Sequence, residues 1–172
     1  MLYGIAVFPS KEIQDTANRL RQRYDPQFAF IDPHLTLRAS EDWTDDQLRD
    51  VHELLERTAA QCKPIRLHFN RFSTFFPVNN VIYLALSDPE PMQSLYKRIC
   101  GGGMLAEPDK PYAYTPHLTV AQNLGDDELH DLYGSLRLRD VDIACTVDKL
   151  ELLRRSADGI WEHMHAYPLT NK

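Results

Sequence analysis

The pentapeptide Pro33-His34-Leu35-Thr36-Leu37 returns in the second half of the chain as Pro116-His117-Leu118-Thr119-Val120. Each copy reads as a β-strand, because polar and aliphatic residues alternate along it. Within a copy the imidazole and the hydroxyl project from one face and the aliphatics from the other. The aliphatic face belongs in a core. The His/Thr face looks into whatever lies opposite, and two copies related by an approximate two-fold would meet across one cleft.

Outward from these copies, the rest of the chain repeats as well. Leu2 to Phe8 is a strand candidate ended by Pro9, and Ser10 caps a helix with Ile13, Ala17, Leu20 and Tyr24 as its stripe. His34 to Ala39 is the motif strand. Thr44-Asp45-Asp46-Gln47 is a capping box opening a second helix, with Leu48, Val51, Leu54 and Leu55 on its apolar face. Ile65 to Phe76 is rich in β-formers, and Pro77-Val78-Asn79-Asn80 is turn-like.

The order then starts again. Val81 to Leu86 is a strand, Asp88-Pro89 opens a helix carrying Met92, Leu95, Tyr96 and Ile99, and Gly101-Gly102-Gly103 ends it. Thr115 to Ala121 is a strand, and Asp126 begins a helix with Leu129, Leu132, Tyr133 and Leu136. Val141 to Arg154 and Ile160 to Tyr167 read as a closing hairpin that turns at Ala157-Asp158-Gly159. Residues 1–79 and 80–172 thus each read strand, helix, strand, helix, strand. Tyr3 falls opposite Tyr83, and Asp45-Asp46-Gln47-Leu48 opposite Asp126-Asp127-Glu128-Leu129. Two such incomplete halves would pack as one α+β domain over residues 1–172, with a cleft between its lobes.

The composition narrows the function. At 172 residues the chain buries a sizeable core without a disulfide or metal staple. Cys62, Cys100 and Cys145 are odd in number and far apart, which fits reduced thiols in a cytoplasmic protein. The longest apolar runs, such as Val81 to Leu86, are too short to span a bilayer, and Met1 to Phe8 has no basic n-region, so a strand and not a signal peptide is expected there. A net charge of −6 argues against a broad grip on long nucleic acid, whose affinity comes from many phosphate contacts. A small phosphorylated substrate held by a few local groups remains allowed, and nothing points to an obligate protein partner.

The chemistry that two His/Thr pairs suit is acid–base catalysis on a phosphate. Histidine titrates near neutrality, so a pair can hold one neutral and one protonated ring. The neutral ring takes a proton from the attacking water, and the protonated ring gives one to the departing ribose oxygen. The hydroxyls of Thr36 and Thr119 donate to non-bridging phosphoryl oxygens, where charge accumulates. No cofactor is required, and the sequence shows no carboxylate or Cys/His cluster suited to a metal. The bland alternative is that both histidines are satisfied core residues. A His followed by apolar-Thr-apolar arises by chance at about one His in a hundred. Two copies among seven histidines, each after proline and at the same place in a repeat, go beyond coincidence.

His34-Leu35-Thr36-Leu37 and His117-Leu118-Thr119-Val120 resemble the paired H-x-T-x motifs of the 2H phosphoesterase superfamily, which includes RNA 2′,3′-cyclic phosphodiesterases and 2′-5′ RNA ligase-like proteins. Tyr3-Gly4-Ile5, Phe8-Pro9-Ser10-Lys11, Arg23-Tyr24-Asp25-Pro26, Pro33 to Ser40 and Pro77 to Tyr83 are further similar to its bacterial YjcG-type branch. The resemblance implies a bilobal fold of two antiparallel sheets lining a cleft, with helices outside. It also implies the two His/Thr pairs as the active site, with His34 as proton donor and His117 as acceptor. The chemistry alone leaves those two roles open, because the copies are nearly equivalent. The loop from Gly101 to Tyr114, with its glycines and prolines, departs from the family pattern and bears on specificity.

Other candidates are weighed beside them. Arg38 continues the His34/Thr36 face and could neutralise a bound phosphate, where Ala121 stands in the second copy. Tyr83, with Tyr3, could stack on a base, though both also suit a core. Gly101-Gly102-Gly103 lacks the Lys-Ser/Thr ending of a phosphate loop and reads as a connector. His52, His68, His130, His163 and His165 read as structural or surface residues. The expected activity is hydrolysis of a 2′,3′-cyclic nucleotide or a cyclic-ended RNA. The alternatives are a non-catalytic nucleotide or RNA-end binding module using the same cleft, and a 2′-5′ RNA ligase-like activity.

Overall fold

The computed structural model describes residues 1–107 and 113–172. Among the described residues, eight strands and four α-helices follow one another as β1 (Leu2–Val7), α1 (Lys11–Tyr24), β2 (Leu35–Asp42), α2 (Asp45–Gln61), β3 (Ile65–Thr74), β4 (Ile82–Leu86), α3 (Glu90–Cys100), β5 (His117–Ala121), α4 (Asp126–Leu136), β6 (Ile143–Val147), β7 (Lys149–Arg155) and β8 (Trp161–Pro168). The helices start where the sequence supplies caps. The Ser10 hydroxyl accepts from the Ile13 amide, and Thr44 and Gln47 satisfy each other's backbone N–H groups in the capping box. Asp88 accepts from the Glu90 amide at the start of α3.

The strands form two four-stranded antiparallel sheets, ordered β2-β1-β7-β8 and β5-β4-β3-β6. This is the α+β fold that the sequence implies, with the division between sheets in a different place. The sheets do not follow the boundary between residues 79 and 80: β3 joins the second sheet, while β7 and β8 join the first. The expected strand from Val141 to Arg154 is likewise two strands. Only Asp148 separates β6, paired with β3, from β7, paired with β1. The reason lies in edges. β1 is hydrogen-bonded on both sides, to β2 and β7, and β3 on both sides, to β4 and β6. Each half thus fills a strand position in the other's sheet, and the open edges fall to β2 and β8 in one sheet and β5 and β6 in the other. The hairpin of β7 and β8 turns as expected, with Gly159 at φ 84°.

One continuous core receives the aliphatic faces of both motifs, Leu35 and Leu37 from β2 and Leu118 and Val120 from β5. Each such side chain fully withdrawn from water contributes about 2 kcal/mol. Their placement in the core leaves His34, Thr36, His117 and Thr119 on the opposite faces. The helices pack outside, with α1 against β5, α2 against β7 and β8, and α3 against β2 and β3.

The register corrects the match between the halves. Thr36 pairs with Ala6 and Thr119 with Tyr83, so the counterpart of Tyr83 is Ala6 and not Tyr3. In both copies the residue after the pairing threonine, Leu37 or Val120, is extra in the ladder, and the next pair is Ile5 with Arg38 or Ile82 with Ala121. The repeat therefore includes a β-bulge that sequence similarity between two tyrosines concealed. Tyr3 stacks on Trp43 in the core, with ring centroids 5.7 Å apart.

Candidate functional site

His34 and His117 are held in the same way. Nδ1 of His34 lies 2.8 Å from the Asp32 carbonyl, and Nδ1 of His117 lies 2.9 Å from the Thr115 carbonyl. A carbonyl only accepts, so each Nδ1 carries the proton and donates it. Each neutral ring is thereby fixed in one tautomer, with Nε2 as its unprotonated, reactive nitrogen. The bond runs from the histidine to the residue two places earlier in both copies, so the short segment before each strand sets the tautomer.

The two rings, Thr36 and Thr119 line one cavity of about 300 Å³. Burial lowers the pKa of both imidazoles, because a buried cation loses its hydration. For His34 that loss of water, reinforced by the Arg21 guanidinium and opposed by the Asp32 carbonyl, brings the pKa to about 4. For His117 burial again lowers it, opposed by the Thr115 carbonyl. The surroundings of the rings differ. Among the described residues the one aromatic ring against His34 is that of Phe8, tilted at 5.9 Å, whereas His117 is met edge-on by Phe75 at 4.9 Å and by Tyr83 at 5.4 Å.

Among the described residues, no three of His, Cys, Asp and Glu gather as a metal-ligand set, and no helix is long and apolar enough to cross a membrane.

A family model of the 2′-5′ RNA ligase superfamily matches residues 9–159. The chain belongs to this superfamily, the 2H phosphoesterases. A Bacillus pumilus protein named "Putative phosphoesterase" is 44% identical over 161 residues, covering 94% of this chain and 93% of its own length. A Bacillus licheniformis relative with the same kind of name is 42% identical, covering 94% of each. Among solved structures, Escherichia coli LigT in complex with 3′-AMP superposes with a TM-score of 0.74 at 15% identity, covering 98% of both chains. A Thermus thermophilus protein, TT0787, gives 0.64 at 18% identity over the full length of both. These last two likenesses establish the fold.

The 2H fold places the remaining candidates differently from their sequence reading. Arg38 lines the cavity, but its guanidinium is spent on protein acceptors. Nε and Nη2 donate to Glu41, and Nη1 donates to the Leu105 carbonyl and pairs with Glu107 at 2.9 Å. It braces the segment after a 3-10 turn at Gly103–Leu105, in a stretch where Pro108 and Pro111 lie outside the described residues. The same stretch is tied to the motif by Tyr114, whose hydroxyl donates to the Thr36 carbonyl at 2.7 Å. Tyr83 does not line the cavity; it packs behind His117 with Val81, Ala85 and Phe75. The five other histidines bond or pack elsewhere, such as His52 to Tyr167 and His163 to Glu151.

Among the residues of the cavity wall that the sequence reading did not single out as functional are Arg21, Asp25, Gln122 and Trp161. A signal existed for the first two. Ile13, Ala17 and Arg21 sit at i, i+4 and i+8 of α1, so a cation occupies a stripe position, with Asp25 one turn further on. Trp161 lies over Gly4, where an added Cβ would meet its ring at 3.6 Å.

Proposed function

We propose that this protein is a metal-independent phosphodiesterase that hydrolyses a small 2′,3′-cyclic phosphate, on a nucleotide or an RNA end. The observation that carries the reading is the matched pair of carbonyl-pinned imidazoles, which leaves two reactive Nε2 atoms and two hydroxyls on one cavity. Membership in the superfamily supports phosphoesterase chemistry; the substrate and the steps are our reading.

With both pKa values lowered, the rings are neutral near pH 7 in the free protein. A phosphodiester anion seated between them stabilises a cation and draws one proton onto the pair, which then titrates as a unit. The neutral ring accepts a proton from water as its oxygen bonds to phosphorus. The protonated ring gives its Nε2 proton to the ribose oxygen as that P–O bond breaks. The rings have thereby exchanged protonation states, one having gained water's proton and the other having given its own to the ribose oxygen, and solvent exchange resets the pair. Thr36 and Thr119 hold the non-bridging oxygens. The nucleoside extends towards β1, where Gly4 leaves room beside Trp161 and the small Ala6 stands in the place that Tyr83 takes in the other copy.

The test is a screen of 2′,3′-cyclic mononucleotides, ADP-ribose cyclic phosphate and cyclic-ended oligonucleotides in the presence of a chelator. Turnover with a bell-shaped pH profile is expected, and His34→Ala or His117→Ala should lower kcat by roughly 10²–10⁴-fold while the melting temperature is retained. Wild-type turnover in both variants would remove the pair from the mechanism. Tight binding without turnover across the panel would make the protein a binding module instead.

A further inference from the structure

Beneath the two motifs lies a buried network that the reaction just described does not use. The Arg21 and Asp25 side chains are each 2% exposed and paired at 2.9 Å. Arg21 also donates to the Asn18 side chain at 2.8 Å and to the carbonyl of Ile31 at 2.7 Å, so it clasps the turn that leads from α1 to His34. Asp25 accepts from the Gln27 amide at 2.9 Å and, through the same oxygen, from the Gln122 side chain at 2.7 Å.

Gln122 comes from the other motif. It follows Ala121, the last residue of β5, and its backbone N–H donates to the Tyr24 carbonyl at 3.0 Å. The end of the His117 strand is thus hooked twice to the end of α1, from which the chain runs to His34. Past the matched bulges the copies diverge, with Arg38 reaching Glu41 and Glu107, and Gln122 crossing to Asp25. Arg21, Asp25 and Gln122 all line the wall of the cavity that holds both histidines.

We infer that Gln122 is a positioning residue: its bond to the buried Arg21–Asp25 pair fixes the His117 strand against the His34 turn, and so sets the spacing of the two imidazoles for proton transfer. The inference rests on the acid–base reading above. An ion pair with every strong donor and acceptor engaged is a stiff anchor, and two rings that act on one phosphorus need their separation held within a fraction of an ångström. Gln122 contributes a neutral donor, so it ties the strands without adding a charge beside the rings. The charged and titratable groups facing His34 are Arg21 and Asp25 from α1 and its cap, and His117 from β5.

The experiment compares wild type, Gln122→Ala and Gln122→Glu by steady-state kinetics on 2′,3′-cyclic AMP from pH 5 to 8, and by NMR titration of the histidine ring protons. Gln122→Ala should lose about 100-fold in kcat, the cost of a misplacement near 1 Å, with KM changed far less. Its His34 titration should move up towards the ordinary 6.5 as the loosened cavity admits water. Gln122→Glu can donate to Asp25 only when protonated, so its activity relative to wild type should recover as the pH falls. A plain structural defect would lower activity equally at every pH. Wild-type kcat together with unmoved histidine titrations in Gln122→Ala would overturn the inference, as would a Gln122→Glu deficit that does not depend on pH. If wild type turns over no cyclic phosphate, the functional reading fails by itself. The histidine titrations still decide the bridge: displaced in Gln122→Ala they uphold it, and unmoved they reject it.

Discussion

Strands β2 and β5 carry nearly the same sequence, the same bulge and the same imidazole-to-carbonyl bond, yet they stand in different surroundings. The His34 side is polar underneath, with the Arg21–Asp25 pair below, and small above, with Ala6 beside Thr36. The His117 side is aromatic, with Tyr83 and Phe75 against the ring. A duplication delivers equivalent chemistry twice, and the neighbours make it unequal. One wall is closed by aromatic rings. The other carries the small Gly4 and Ala6 beside Trp161, and the Arg21–Asp25 pair lies on the His34 side.

This contrast can be broken or sharpened in order of expected effect. Arg21→Met leaves Asp25 buried without its cation and should cost about 3–5 kcal/mol in urea unfolding. Gln122→Ala removes one hydrogen bond to the Asp25 carboxylate and should cost less, about 1.5–3 kcal/mol. Equal losses would mean that the pair is not the anchor.

The next effect is on stability against pH. His34 has a folded pKa of about 4 against an ordinary 6.5, so between those values the unfolded chain binds more protons. The contribution of His34 to stability should therefore fall as the pH drops from 6.5 towards 4 and change no further below that. In denaturant melts at pH 7.5 and 4.5, His34→Gln should flatten this loss more than His117→Gln, and the reverse order would invert the assigned difference between the two sides. The smallest effect belongs to Arg38. With its guanidinium held by Glu41 and Glu107, Arg38→Gln should change kcat/KM by less than about 10-fold, since a charged contact to the phosphate would be worth that much or more. A larger loss would show that Arg38 leaves its glutamates to meet substrate.

Much of this molecule was legible beforehand, for physical reasons that can be named. Period-two alternation placed Leu35, Leu37, Leu118 and Val120 in the core and the His/Thr pairs on the far face, because a strand allows no other arrangement. The capping box at Thr44 and the stripe of α1 were local facts, readable within one helical turn. Arg38 lines the cavity as expected, but the contacts of its guanidinium, like the packing of Tyr83, depend on non-local partners. Pairing across the sheet matches Tyr83 with Ala6, through Thr119 and Thr36, and Glu107, far along the chain, claimed Arg38.

Duplication, the α+β class and two His/Thr pairs facing away from a shared core were all written in the chain. These follow from periodicity and repetition, which are properties of neighbouring residues. Only the tertiary structure decided that β3 and β7 exchange sheets, that Asp148 marks a crossing, and that Gln122 reaches across to Asp25. Strand exchange and cross-motif bonds depend on which backbone edges and which buried charges remain unsatisfied once the elements meet, and no local pattern records that.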